Sequence, residues 1–253
     1  MKIIAIANQK GGVGKTTTCV NLTAALHRLG KKVLLCDMDP QGNATSSLGV
    51  DKNAVEKSMH DVLVGGLGAA EAVRHTRSGD LLPANRGLAG ATVELVTMPA
   101  REYILKKALA ALRPDYDFIL IDCPPSLEML TLNSLCAADS VLIPVQCEYF
   151  ALEGLSDLMS SLRLIKRGLN PDIAVEGVLL TMYDGRTNLS PQVAEQVRRF
   201  FKEKVYPTAI PRSVRLSEAP SHGKSVIEYD LSSRGAQAYL QLAQEIAARN
   251  ERS

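Results

Sequence analysis

Gln9-Lys10-Gly11-Gly12-Val13-Gly14-Lys15-Thr16-Thr17 decides the fold of this chain. The stretch follows an apolar run over residues 2–7 that reads as a strand, and it opens a segment with helical patterning over 16–29. Glycines at a strand-to-helix turn let main-chain N–H groups close around phosphate oxygens, and the helix N-terminus adds the positive end of its dipole. In that reading Lys15 reaches the outer phosphates of a nucleotide and the Thr16 hydroxyl sits on Mg²⁺. The usual pattern begins with glycine where this chain has Gln9, and an extra lysine, Lys10, stands before Gly11.

Working outward, short apolar runs alternate with longer amphipathic ones. Strands are predicted at 2–7, 32–37, 118–122, 140–145 and 174–182, with a short one at 206–210. Several are apolar without alternation, as expected where both faces of a parallel sheet are covered. Helices are predicted at 16–29, 101–112, 127–138, 152–167, 191–204 and 232–248. This alternation specifies an α/β fold, a doubly wound, mostly parallel sheet flanked by helices. Residues 48–97 are less regular, punctuated by Gly65-Gly66-Leu67-Gly68 and by Gly87 and Gly90. They read as small helices and a strand elaborating one edge, within a single domain over 1–253.

Composition narrows the function. A chain of 253 residues that is 46% apolar can bury one substantial core. A net charge of +2 leaves any nucleic-acid binding to a local patch, and 4% aromatics argue against a base-stacking platform for single strands. The cysteines, Cys19, Cys36, Cys123, Cys136 and Cys147, never approach a Cys-x-x-Cys spacing and sit mostly in apolar runs, so they read as buried thiols of a reduced, cytoplasmic protein. No signal peptide fits the N-terminus, and no stretch approaches the roughly 18 apolar residues needed to cross a membrane.

In open α/β sheets ligands bind beyond the carboxyl ends of the strands. Two further strand ends here carry acids: Asp37-Met38-Asp39-Pro40-Gln41-Gly42 and Ile121-Asp122-Cys123-Pro124-Pro125. A lone aspartate after a strand is usually a turn former, and Asp37 and Asp39 could merely cap a helix. Combined with Gly14-Lys15-Thr16, Asp122 instead suits the hydration shell of a Mg²⁺ beside the β- and γ-phosphates, and the pair at 37 and 39 suits positioning of a water.

These segments resemble the ParA/Soj branch of the deviant-Walker P-loop ATPases, which partition chromosomes and plasmids. The likeness rests on Lys10–Thr17, on Asp37–Asn43 and on Ile121-Asp122-Cys123-Pro124-Pro125-Ser126. These three are shared with MinD and the nitrogenase iron protein. The fourth, Pro211-Arg212-Ser213-Val214-Arg215-Leu216-Ser217-Glu218-Ala219-Pro220-Ser221-His222-Gly223, is more specific to ParA/Soj. The resemblance implies a Mg²⁺-dependent ATPase that forms a homodimer with ATP, in which Lys10 reaches the nucleotide of the second subunit. It further implies that Gly11, Gly12, Val13, Gly14, Lys15, Thr16 and Thr17 hold the phosphates, with Thr17 at the α-phosphate. By the same likeness Asp39 positions the attacking water, Thr16 ligates the metal and Asp122 holds it through water. Met182 and Pro211 lie where the family places adenine, although both are also ordinary core or turn residues.

Arg186 and Arg215 stand where family members contact duplex DNA without sequence preference. The resemblance therefore implies a nucleoid-associated protein with a centromere-binding partner of ParB (Spo0J) type. Arg198, Arg199, Lys202 and Lys204 add charge to a helix whose other face is Val193, Val197, Phe200 and Phe201, a pattern that also suits a solvated face. Two alternatives are a MinD-like ATPase on a membrane and a ParA-like positioner of a protein cargo. The first needs a basic amphipathic C-terminal helix. Here Ala236, Tyr239, Leu240, Ala243, Ile246 and Ala247 form an apolar stripe opposed by Gln237, Gln241, Gln244 and Glu245, which reads as a core-packing helix and predicts no membrane binding. A redox role on an Fe–S cluster would need Cys123 and Cys136, but their Cys-Pro-Pro context follows the partitioning branch.

Overall fold

Five apolar segments pair in parallel, as their lack of alternation predicts. In the computed structural model β1 (Lys2–Ile6), β2 (Val33–Asp37), β5 (Phe118–Asp122), β6 (Ser140–Gln146) and β7 (Ala174–Thr181) join a hairpin, β3 (Arg74–Thr76) and β4 (Gly79–Leu82). The sheet order is β3-β4-β2-β5-β1-β6-β7, and only the β3–β4 pair is antiparallel. The structure describes residues 1–148 and 151–251, with side chains in the second stretch from residue 154; residues 149, 150, 252 and 253 of the unit expected over 1–253 lie outside it.

Helices cover both faces. On one lie α1 (Lys15–Arg28), α2 (Asn43–Ser47), α10 (Val214–Glu218), α11 (Val226–Tyr229) and α12 (Arg234–Glu251). On the other lie α3 (Met59–Leu63), α4 (Ala69–Ala72), α5 (Leu88–Val96), α6 (Ile104–Ala110), α7 (Met129–Ala137), α8 (Ala151–Gly168) and α9 (Leu189–Phe201). The strands feed the two cores alternately: Ile3 and Ala5 face the second layer, Ile4 and Ile6 the first.

Three expectations change. The irregular region holds a two-stranded hairpin rather than one strand, and β3 (Arg-His-Thr) is too polar and exposed to announce itself. Residues 206–210 form no ladder strand. They run beside β7 with Tyr206 N–H donating to Val178 O (2.9 Å) and Ile210 N–H to Leu180 O (2.8 Å), so the segment advances four residues while β7 advances two and no ladder register is kept. On α9, Val193, Val197 and Phe201 are buried as expected, whereas Phe200 is exposed. The stripe of α12 packs into the core, with Ala236, Tyr239, Ala243 and Ile246 fully buried and the Tyr239 hydroxyl 3.2 Å from Thr18 Oγ1 on α1. No helix among the described residues is long and apolar enough to cross a membrane.

Candidate nucleotide site

Strand register assembles the site. Asp122 is the register partner of both Ile6 and Asp37, so the exits of β1, β5 and β2 stand side by side at one sheet edge. The phosphate loop leaves β1 there and turns into α1. Gly12 (φ 75°) and Gly14 (φ 90°) adopt the left-handed backbone that only glycine takes without strain, which explains two of the three loop glycines. No side chain caps α1 at Gly14, and its first turn carries no acid, so the first N–H groups of the helix remain available to an anion.

Two residues outside the loop clamp it. Asn8, buried on leaving β1, accepts a hydrogen bond from Lys10 N–H (3.0 Å) and donates to Pro144 O on β6 (2.7 Å). Thr181, at the end of β7, donates its hydroxyl to Val13 O (2.8 Å). Neither was expected from the sequence. Asn8 adjoins the loop and carries both a donor and an acceptor, a signal that was there to be used. Thr181 reaches the loop only through the fold.

Lys15 and Lys10 are both placed at the loop, in different ways. Lys15 is buried, and its ammonium donates to the main-chain carbonyl of Lys10 (3.1 Å). Burial pulls its pKa below the ordinary lysine value, against the opposing attraction of Asp122 and Asp39. The Lys10 side chain is partly exposed and lies 3.6 Å from Glu148 of its own chain. An ion pair this open to solvent is worth under about 1 kcal/mol, so it holds Lys10 only loosely.

The three acids divide into distinct environments. Asp37 is fully engaged: one oxygen accepts from the Thr45 N–H (2.8 Å) and hydroxyl (2.7 Å), the other from Asp39 N–H (3.2 Å). Burial still outweighs these bonds and pushes its pKa up to about 6. Asp39 is also buried, but only one of its oxygens is bound, to Gln41 N–H (2.9 Å). Asp122 is completely buried and neither of its oxygens has a hydrogen-bond partner. Burial and the neighbouring Asp37 hold its carboxyl well above the usual range. The Thr16 hydroxyl lies near enough to favour the ionised form, without hydrogen-bonding geometry.

An unpartnered buried carboxylate asks for a cation or a proton. Its neighbours, Thr16 and Lys15, suit a metal ion that also binds phosphate oxygens. Among the described residues no group of three His, Cys, Asp or Glu side chains forms a metal cage.

Met182 follows β7 with a left-handed backbone (φ 50°), unusual for a residue with a side chain. Pro211 stands beside it, bridged to Tyr183, with Tyr183 N–H donating to Ile210 O (3.0 Å). The two expected adenine contacts are thus neighbours. Arg186 and Arg215 are exposed but not free. Arg186 forms a two-pronged pair with Asp184 (2.9 and 2.8 Å), which draws the Asp184 pKa down to about 2. Arg215 binds Glu218 (2.9 Å) and Asp230 (3.3 Å) and lies over the Tyr229 ring. All five cysteines are buried and free, and burial pushes the Cys123 thiol up to about 12, as inert structural thiols require.

Comparison with known proteins agrees with this geometry. The family model described as AAA domain matches residues 1–175. The sporulation initiation inhibitor protein Soj of Bacillus subtilis is 59% identical over 249 residues, covering 98% of each chain. The chromosome partitioning protein ParA of Myxococcus xanthus is 51% identical over 251 residues, covering 98% of this chain and 89% of its own. Among solved structures, cobyrinic acid a,c-diamide synthase from Mycobacterium smegmatis, crystallised with ADP and magnesium and with an ATP analogue and magnesium, superposes with a TM-score of 0.88. It is 40% identical and covers 99% of this chain and 96% of its own. A chain this similar to Soj and ParA over nearly its whole length belongs to the ParA/Soj family of chromosome-partitioning ATPases, with ATP as its nucleotide and Mg²⁺ as its metal.

Proposed function

We propose that the protein is an ATP-dependent switch: a monomer without ATP that pairs into a homodimer around two ATP molecules and binds duplex DNA of any sequence. Its slow hydrolysis is stimulated by a centromere-binding partner of ParB type, and the dimer is cytoplasmic and nucleoid-associated. The observation that carries this reading is the two-lysine loop, with Lys15 buried on the Lys10 carbonyl and the Lys10 side chain at the surface.

Within one subunit the loop amides from Gly11 to Thr17 and the α1 N-terminus cradle the phosphates, with Thr17 at the α-phosphate, and Lys15 exchanges the Lys10 carbonyl for phosphate oxygens. Thr16 and, through water, Asp122 would hold Mg²⁺. The metal supplies charge neutralisation across the β- and γ-phosphates. Asp39, with one oxygen unbound, orients the attacking water, while Asp37 is spent on holding Thr45 and the turn. Met182 and Pro211 flank the adenine.

Negative charge develops on the γ-phosphoryl oxygens during transfer, and a cation delivered by a second subunit stabilises it as an arginine finger does. That role is compatible with the weak contact of Lys10 with Glu148, which costs little to give up. Pairing two subunits doubles the cations facing a phosphate backbone, so DNA affinity follows nucleotide state. Arg186 and Arg215 contact the backbone once phosphate displaces their carboxylate partners. A gel shift with unrelated duplexes tests the coupling. Binding is expected with ATP and lost with ADP or in Lys15→Ala; equal binding in all three overturns it.

A further inference from the structure

The two arginines expected to meet DNA are both neutralised by carboxylates, whereas several others among the described residues, Arg28, Arg198, Arg212 and Arg234 among them, are not, and two of these share one groove. Arg28 and Arg234 are exposed, and neither makes a hydrogen bond or ion pair with any described residue. Both line one open groove of about 820 Å³, bounded by the end of α1, by Ala209 and Pro211, and by the outer face of α12. Gln237, Gln241 and Gln244, on one face of α12, supply amides to it, and no carboxylate lines it. The acid next in sequence, Glu245, accepts from Thr208 and Gln241.

The two arginines differ in what else explains them. Arg28 sits in the last turn of α1, where a cation complements the helix dipole. Arg234 opens α12, the end at which the dipole disfavours a cation, and no acid in the first turn offsets it. An unpaired cation placed against a helix dipole, across a groove from a second unpaired cation, points to an anion from outside the chain. The chain segments that carry both paired arginines lead into the groove's lining. Pro211 is bridged to Tyr183, just before Asp184 and Arg186, and Asp230, which holds Arg215, precedes Arg234 by four residues.

We propose that this groove is a second phosphate-contacting strip, in which Arg28 and Arg234 take the sugar-phosphate backbone of duplex DNA alongside Arg186 and Arg215. The inference rests on the DNA-binding reading above. Two separate cations along an open groove suit a polyanion that spans both; Gln237 and Gln241 each already give an amide bond within the chain, to Leu231 O and Glu245, and Gln244 adds a donor without sequence preference. Unlike Arg186 and Arg215, these two need no carboxylate displaced before they bind.

The test is a titration of duplex DNA with the full-length protein, ATP and Mg²⁺ over a range of KCl, comparing wild type with Arg28→Gln/Arg234→Gln and Arg28→Lys/Arg234→Lys. Removing two cations from each subunit removes four from the dimer. The glutamine variant should therefore bind at least about tenfold more weakly near 0.1 M salt, with a log–log salt slope shallower by about 3 to 4. The lysine variant should keep wild-type slope and affinity within about threefold. Both should bind a fluorescent ATP analogue as wild type does, since neither Arg28 nor Arg234 belongs to the phosphate loop or to the residues that flank the adenine. Wild-type DNA affinity and slope in the glutamine variant overturn the groove proposal and leave the DNA-binding reading standing. Equal loss in the lysine variant, or loss of nucleotide binding, also overturns it. Absence of DNA binding by wild type overturns the broader reading and this one with it.

Discussion

Asp122 is the residue at which stability and function pull apart. A buried carboxylate with two unpartnered oxygens is costly to the free protein, and the cost is tolerated where a ligand will answer it. Asp122→Asn should stabilise the nucleotide-free protein by about 1–3 kcal/mol, a rise of several degrees in Tm, while weakening Mg²⁺-dependent ATP binding. The pH dependence follows from the raised carboxyl pKa values. A group that holds its proton more tightly when folded contributes stability that is fully present below the unfolded value and is lost as pH rises through the folded one. For Asp37 that window runs from about 4 to about 6, and the Asp122 shift has the same sign. The Tm of the free wild type should therefore fall as pH rises from 4 towards 7, and the advantage of Asp122→Asn should widen over the same range. An advantage independent of pH would assign Asp122 a different ionisation.

Between elements, two contacts decide how well the site is held. Thr181 ties β7 to the phosphate loop through one buried hydrogen bond. Thr181→Val keeps the shape and removes the donor, and should cost about 1 kcal/mol with a several-fold loss of ATP affinity measured by calorimetry. Midway along β7, a Cβ on Gly177 would collide with the Tyr206 ring and the Lys204 carbonyl. Gly177→Ala should cost about 1–3 kcal/mol in a denaturant titration, because it pushes the 205–210 segment off the sheet edge that also sets Pro211. Much of this layout was legible in the sequence. The parallel strands are mostly apolar on both faces, and Asp37 and Asp122 fall at carboxyl ends because that is where an α/β sheet exposes its loops. The hairpin was not legible, since Arg74-His75-Thr76 carries no apolar face to mark it. Residues 206–210 misled for the opposite reason: they are apolar enough for a strand, but their two bonds to β7 are four residues apart against two on β7, so the segment leaves ladder register. The clamp by Thr181 spans 168 residues of chain and depends on which strand lies next to β6.

For the whole molecule, the central claim is that one chain does not complete its own active site. The subunit mass is 27.3 kDa, so a dimer is readily separated from a monomer. The most direct measurement is light scattering after size exclusion, with ATP and Mg²⁺ present, on Asp39→Ala and on Asp39→Ala/Lys10→Ala at equal concentrations. Blocking hydrolysis with the first substitution keeps ATP in place, so it isolates what Lys10 contributes to assembly. Asp39→Ala should run at twice the subunit mass with ATP and at the subunit mass with ADP. Adding Lys10→Ala should return the ATP-loaded protein to the subunit mass while leaving ATP bound. A double variant that still dimerises fully with ATP would contradict the account, because Lys10 would then not be the residue that joins the two nucleotide sites.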